Sequence, residues 1–234
     1  TLAILFLLAA ATFAAQVPLH SWLPMSMTGP ITGNALIQCT GTAIAGIYLL
    51  CRLNYIYVSS EVAMTVVASI GALTALVGST SALVQTDLRK GLSYAAMAQT
   101  GFIFAALGVG AFEAALFQLI AIGCFIPCLF LATAHIIQVM DGEQDIRKMG
   151  GLRSRLRITN QTFFLACLGL LGMVPFASFA SRGHMLTSTF TSSHHGAAPQ
   201  TLIFGIGLVS SLIAAAGIFR FYYLTFGGEP RVEN

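Results

Sequence analysis

The sequence predicts an all-α membrane protein with about seven transmembrane helices, some of them discontinuous, and three observations predict it. Of 234 residues, 56% are hydrophobic and only 8% charged, against roughly a quarter charged in a soluble domain. Seven apolar runs, near 2–16, 34–57, 62–86, 91–110, 112–139, 158–181 and 201–226, meet or approach the ~20 residues that cross ~30 Å of hydrocarbon. The eleven basic and eight acidic side chains gather at the ends of these runs, where a charge avoids the ~2.5–3.5 kcal/mol it costs at mid-bilayer. The runs are continuous and rich in Leu, Ala, Gly and Phe, without the alternation of a membrane barrel strand.

The first run, 2–16, resembles the apolar core of a signal peptide, with Ala14-Ala15 as a cleavage site, but no basic leader precedes it. We read it instead as a span entered midway. Residues 17–33 follow, with Pro18, Pro24, Gly29, Pro30 and Gly33 and not one charge. That composition suits irregular backbone at membrane depth, as in the broken helices of carriers, and equally an interfacial loop anchored by Trp22. Pro127 within the fifth run and Val174-Pro175 within the sixth each remove a backbone donor and predict further interruptions.

If the spans alternate, one side receives Arg89, Lys90, Arg147, Lys148, Arg153, Arg155, Arg157 and Arg231, and the other Arg52 and Arg182. The positive-inside rule makes the first side cytoplasm or matrix. The net charge of +3 follows from this bias and does not indicate nucleic acid. Asp141–Arg157 is then a basic inside loop and Gly183–Gln200 a polar outside loop, whose His194 and His195 lack a third metal ligand nearby. Arg220 snorkels to the inside interface. Cys39, Cys51, Cys124, Cys128 and Cys167 lie in or beside apolar runs and lack C-x-x-C spacing, so they read as small buried hydrophobes. No nucleotide loop, metal set or nucleophile with a base is visible.

Several segments carry a family resemblance. Gln16-Val17-Pro18-Leu19-His20-Ser21-Trp22-Leu23-Pro24, Ala35-Leu36-Ile37, Asp87-Leu88-Arg89-Lys90-Gly91-Leu92-Ser93-Tyr94 and Glu143-Gln144-Asp145-Ile146-Arg147-Lys148-Met149-Gly150-Gly151-Leu152 resemble, in order, the antiporter-like membrane subunits of respiratory complex I, most nearly the subunit 5 branch. The resemblance implies part of an inverted-repeat fold. Residues 1–57 correspond to the last two helices of a first repeat with its broken-helix loop 17–33, 58–226 to a second five-helix repeat, and 227–234 to a tail.

The resemblance also implies electron-transport-coupled proton translocation through buried lysines, histidines and carboxylates, and here those groups are largely replaced. The positions they would take are Phe13, Met25, Thr28 and Gln38. In the fifth run a titratable stripe at four-residue steps is Gln118, Ile122 and Ile126. At the second broken helix a Ser-Lys-Asp is Ser181-Arg182-Gly183, and arginine does not readily release its proton. The candidates left for a proton path are Gln38, Gln99, Gln118, His135 and Arg182, with Asn34 able to hold water; Trp22 and Arg220 are the candidates for lipid or interface contact. No metal or redox cofactor is expected in this chain; flavin and iron–sulfur clusters would reside in other subunits, and phospholipids are plausible ligands. The resemblance implies other membrane-arm subunits as partners, including one supplying the missing N-terminal helices. The location it implies is the mitochondrial inner membrane, with the bacterial plasma membrane as alternative. The expected role is largely structural; a stand-alone or multi-subunit cation/proton antiporter component is the competing expectation.

Overall fold

The computed structural model describes residues 2–29, 33, 42–191 and 197–228. Among the described residues the chain is helical, with one isolated antiparallel bridge, Asp87 to Asp145. Helix α1 is Leu2–Phe13; after a break come α2, Trp22–Met25, and a 3-10 turn, Ser26–Thr28. Then follow α3 (Thr42–Arg52), α4 (Asn54–Val58), α5 (Glu61–Val84), α6 (Leu88–Gly108) and α7 (Phe112–Val139). Beyond the basic loop lie α8 (Leu152–Arg155), α9 (Arg157–Leu171), α10 (Ala177–Thr191) and α11 (Ala197–Phe226).

Among the described residues three helices are long and apolar enough to cross a membrane: Glu61–Val84, Phe112–Val139 and Thr201–Phe226. The expectation of seven spans is met only in part. Leu2–Phe13 and Ala43–Arg52 are apolar but shorter. Helix α6 has the length, 21 residues, yet carries Arg89, Lys90, Ser93, Gln99 and Thr100. Its position resolves the conflict: nearly all of α6 is buried, packed on α5, α7 and α11. A helix shielded from lipid by its neighbours has no need of a lipophilic surface.

The α5–α6 contact explains how α6 becomes the axis. A Cβ on Gly101 would lie 2.5 Å from the Ala75 backbone nitrogen, and one on Gly78 2.7 Å from that of Ala98. Small residues thus bring the two backbones together, as in tightly packed membrane helices. Both helices start on caps: Ser60 Oγ accepts from Ala63 N, and the Asp87 carboxylate accepts from the Arg89 and Lys90 amides.

Two expectations need correction, the outer loop and the break at Pro127. The sixth run, 158–181, is two half-helices, α9 and α10, and the second continues to Thr191; most of the outer loop placed at 183–200 is therefore helix. Helix α7 runs through Pro127 without interruption, because a proline removes a single ladder bond, which neighbouring helices can compensate. Arg220 is part-buried in protein and donates to the carbonyls of Leu83 at 2.7 Å and Gln85 at 2.8 Å, a cationic cap on the end of α5. Trp22 is half-buried against Ala15, Leu23 and Met97, and its Nε1 donates to Thr12 O at 3.1 Å.

The basic loop is a built structure. Leu88 N donates to Gln144 O and Ile146 N to Thr86 O, which pins the loop to the start of α6, while Ile146 and Met149 are fully buried. Lys148 Nζ lies 2.8 Å from Glu143 Oε2. Hydrogen bonding from Lys148, then from the Asp145 and Gln144 amides, holds the Glu143 carboxyl down at about 2.

Candidate functional site: two broken helices meeting on α6

The two breaks differ in sequence but converge on adjacent residues of α6. At the first, Ala15 turns left-handed (φ 49) and Gln16 folds back, its Nε2 donating to Ala14 O at 3.0 Å and to Thr100 Oγ1 at 3.2 Å. Thr74 Oγ1 of α5 accepts from Val17 N at 3.0 Å. Backbone groups released by the break thus find partners from buried side chains, which irregular backbone in a bilayer requires.

At the second break α9 ends on Gly172, left-handed at φ 71, with Met173 N donating to Leu168 O, a glycine-terminated helix end. Helix α10 then presents Arg182 back toward that end. Arg182 Nη2 donates to Leu170 O at 2.9 Å and to Gln99 Oε1 at 2.5 Å, and its guanidinium sits 5.2 Å from the centroid of the Phe102 ring. The described ion pairs are Lys90–Asp87 and Lys148–Glu143, so no described carboxylate neutralises Arg182. Its charge is balanced by the negative end of α9, an amide oxygen and a ring face. The cation is thus held without an acidic neighbour, residue 183 being a glycine.

Next to Arg182, Ser181 Oγ donates to Gln118 Oε1 of α7. Gln99, Gln118 and Arg182, three of the sequence-nominated residues, therefore meet in one cluster. Within it Gln99 Nε2, Gln118 Nε2, Ser178 Oγ and Arg182 Nε are buried without protein hydrogen-bond partners, which suits a site able to order water. Below it the stripe turns apolar: Ile122 and Ile126 are buried and, with Ile44, Ile47, Ala96 and Ile103 among others and Thr100 as its one polar side chain, line a largely apolar cavity of about 10 Å³. An apolar void of that size does not favour a water.

His135 does not join the cluster; it is exposed on the outer face of α7, as is Gln138. Phe13 and Met25 are exposed too. Gln38, Asn34, His194, His195, Cys39 and Arg231 lie outside the described residues. Among the described residues no group of three metal-ligating side chains occurs. Sequence reasoning missed the working roles of Gln16, Thr74, Thr100 and Phe102. Gln16 stood inside a quoted motif, one residue before a broken helix, and a buried polar side chain there was its signal.

A helical membrane bundle in which two broken helices face one polar, buried helix has the build of a transporter-type subunit. The chain belongs to the family described as NADH:quinone oxidoreductase/Mrp antiporter, transmembrane region, which matches residues 1–220. It is 38% identical over 229 residues to NAD(P)H-quinone oxidoreductase subunit 5 of the Paulinella chromatophora chromatophore, covering 94% of this chain and 33% of that protein. It is 37% identical to the chloroplast subunit 5 of Physcomitrium patens, covering 99% and 32%, and 37% identical to chain 5 of a Picosynechococcus, covering 98% and 35%. The chain spans about a third of the length of these relatives. A chain of the Mrp complex from a Dietzia species has the same fold, with TM-score 0.88 at 22% identity, covering 97% of this chain and 42% of that one.

Proposed function

We propose that the chain forms part of an antiporter-like membrane subunit of an NAD(P)H:quinone oxidoreductase complex, in which it contributes chiefly structure to electron-transport-coupled proton translocation. The observation that carries the reading is the pairing of a near whole-chain subunit 5 match with the interrupted polar stripe Gln118, Ile122, Ile126. In this reading residues 1–57 complete a first repeat and 58–226 form a second. Flavin, iron–sulfur and quinone chemistry belongs to other subunits, and another chain segment supplies the remaining helices. The sources of the relatives favour a cyanobacterial or plastid-type membrane over the mitochondrial inner membrane.

At the site, Gln99 and Gln118 hold water by hydrogen bonding and Arg182 sets a fixed positive field. None of the three exchanges a proton at working pH, so a relay through them would depend on water alone. The shared fold with an Mrp complex chain supports a second reading, a component of a multi-subunit cation/proton antiporter, which would need buried ionisable groups from other chains.

Mild-detergent native electrophoresis of source membranes, with in-gel NAD(P)H oxidation staining and mass spectrometry of each band, separates the two. Comigration of nearly all of the chain with the large NAD(P)H-oxidising band is expected. Recovery only in a smaller band without that activity favours the antiporter.

A further inference from the structure

We propose that the cleft between the start of α9 and the end of α11 binds the phosphate of an acidic phospholipid. The cleft has a volume of about 940 Å³ and is lined by Arg153, Ser154, Arg157, Asn160, Tyr222 and Phe226, among others. One end is closed by Gly151 N donating to Gly227 O at 3.2 Å. It lies on the side of the bundle where the basic residues collect, so it sits at headgroup depth on the positive-inside face.

Three observations, none at the helix breaks themselves, converge there. Arg153 and Arg157 are exposed, and neither is within ion-pair distance of a described carboxylate. The 15-residue helix α9 begins at Arg157 with no side-chain cap, so its positive end is uncapped where Arg157 and Asn160 line the cleft. Asn160, one turn further in, is only 8% exposed, and its Oδ1 is buried without a partner. A buried acceptor beside two cations calls for a ligand carrying both a negative charge and a donor. A phosphodiester headgroup with a free hydroxyl has both: the phosphate meets the guanidiniums and helix amides, and the hydroxyl donates to Asn160 Oδ1.

The walls favour a lipid over a soluble phosphate ester. Phe164, Tyr222 and Phe226 form a continuous aromatic wall, with ring centroids 5.0 and 5.5 Å apart. Outside the cleft Ile158 and Leu165, two turns apart on α9, are 79% and 52% exposed and offer an apolar track for an acyl chain. Tyrosine at this depth is characteristic of the interface.

The test is native mass spectrometry of the protein purified in mild detergent with its copurifying subunits, titrated with phosphatidylglycerol, phosphatidic acid, phosphatidylcholine or inorganic phosphate. One phosphatidylglycerol per chain is expected, retained at least tenfold better than phosphatidylcholine, with phosphate alone a weak competitor. Arg153→Gln with Arg157→Gln should lower retention about tenfold, and Asn160→Leu should erase the preference for phosphatidylglycerol over phosphatidic acid. Arg155→Gln, a loss of charge outside the cleft lining, should change nothing and controls for general electrostatics. Equal retention of phosphatidylcholine, an Arg155→Gln effect as large as that of the double variant, or phosphate binding as tight as the lipid would each overturn the assignment. If the double variant does not fold, Arg157→Gln alone decides in the same way, at a smaller expected loss of about threefold.

Discussion

The break after Phe13 and the break after Leu171 are the same device built with different electrostatics. Each interrupts an apolar helix ahead of a Val-Pro pair and returns its loose backbone to α6, one through Thr100 and the other through Gln99. The first is held by neutral groups, Gln16, Thr74 and Thr100. The second is held by a permanent cation whose counter-charge is the end of a helix. A neutral clamp contributes through geometry alone, whereas a charged clamp also imposes a field on whatever water lies beside it. With no described carboxylate paired to Arg182 that field is fixed, so the second break holds its shape at any working pH.

The largest effect expected from breaking this comparison is at the charged clamp. Arg182→Leu strands Leu170 O and Gln99 Oε1 together; hydrogen bonds to charged groups are worth about 1.5–3 kcal/mol each, and a loss of ~3 kcal/mol should register as a large drop in melting temperature in detergent. Arg182→Lys keeps the charge but not the planar guanidinium whose Nη2 reaches both acceptors and whose face stacks on Phe102, so about half that loss is expected. At the neutral clamp Gln16→Leu should cost about 1–2 kcal/mol, since it removes two ordinary hydrogen bonds, and Thr74→Val about 1 kcal/mol for leaving Val17 N unpaired. Neutral-clamp variants equalling Arg182→Leu in the same melting assay would erase the distinction between the breaks.

Which parts of this were legible in the sequence follows from how each residue is satisfied. The second break could be read at Val174-Pro175, whereas the first is one of two readings that residues 17–33 leave open, and Pro127 marks a break that α7 does not have. The continuation of α10 to Thr191 could not be read. Its hydroxyls lower the apparent hydropathy, yet Thr187 donates to Gly183 O and Thr189 to Met185 O, so those polar groups are spent inside the helix. Helix α6 could be read as the run 91–110 despite its polar residues, which are affordable only because other helices enclose it. Gln99, Gln118 and Arg182 were each nominated singly; their meeting depends on the register of three helices, and the carbonyl partners of Arg182 and Arg220 leave no mark in side-chain sequence. His135 was nominated because a histidine in a span is rare, but helix periodicity places it on the outer face.

The smallest expected effect lies in the loop that pins α6, and so both clamps, in register. Glu143 titrates near 2 rather than at its ordinary 4.5. A carboxyl held down in the folded state stabilises it above the ordinary value, and that contribution disappears as pH falls from about 4.5 toward 2. Lys148→Ala should move a carboxyl carbon-13 titration of Glu143 back toward 4.5, with little change in melting temperature at neutral pH because the pair is exposed.

The most direct test of the claim that this chain serves structure more than proton transfer is the proton-to-electron ratio of the assembled oxidoreductase in proteoliposomes carrying Gln118→Leu. That variant removes a buried polar group from the cluster at nearly constant volume while leaving the Arg182 clamp in place. An unchanged ratio with normal assembly is the predicted result. A fall in protons moved per electron pair, with assembly intact, would contradict the account and place a working proton path through Gln118.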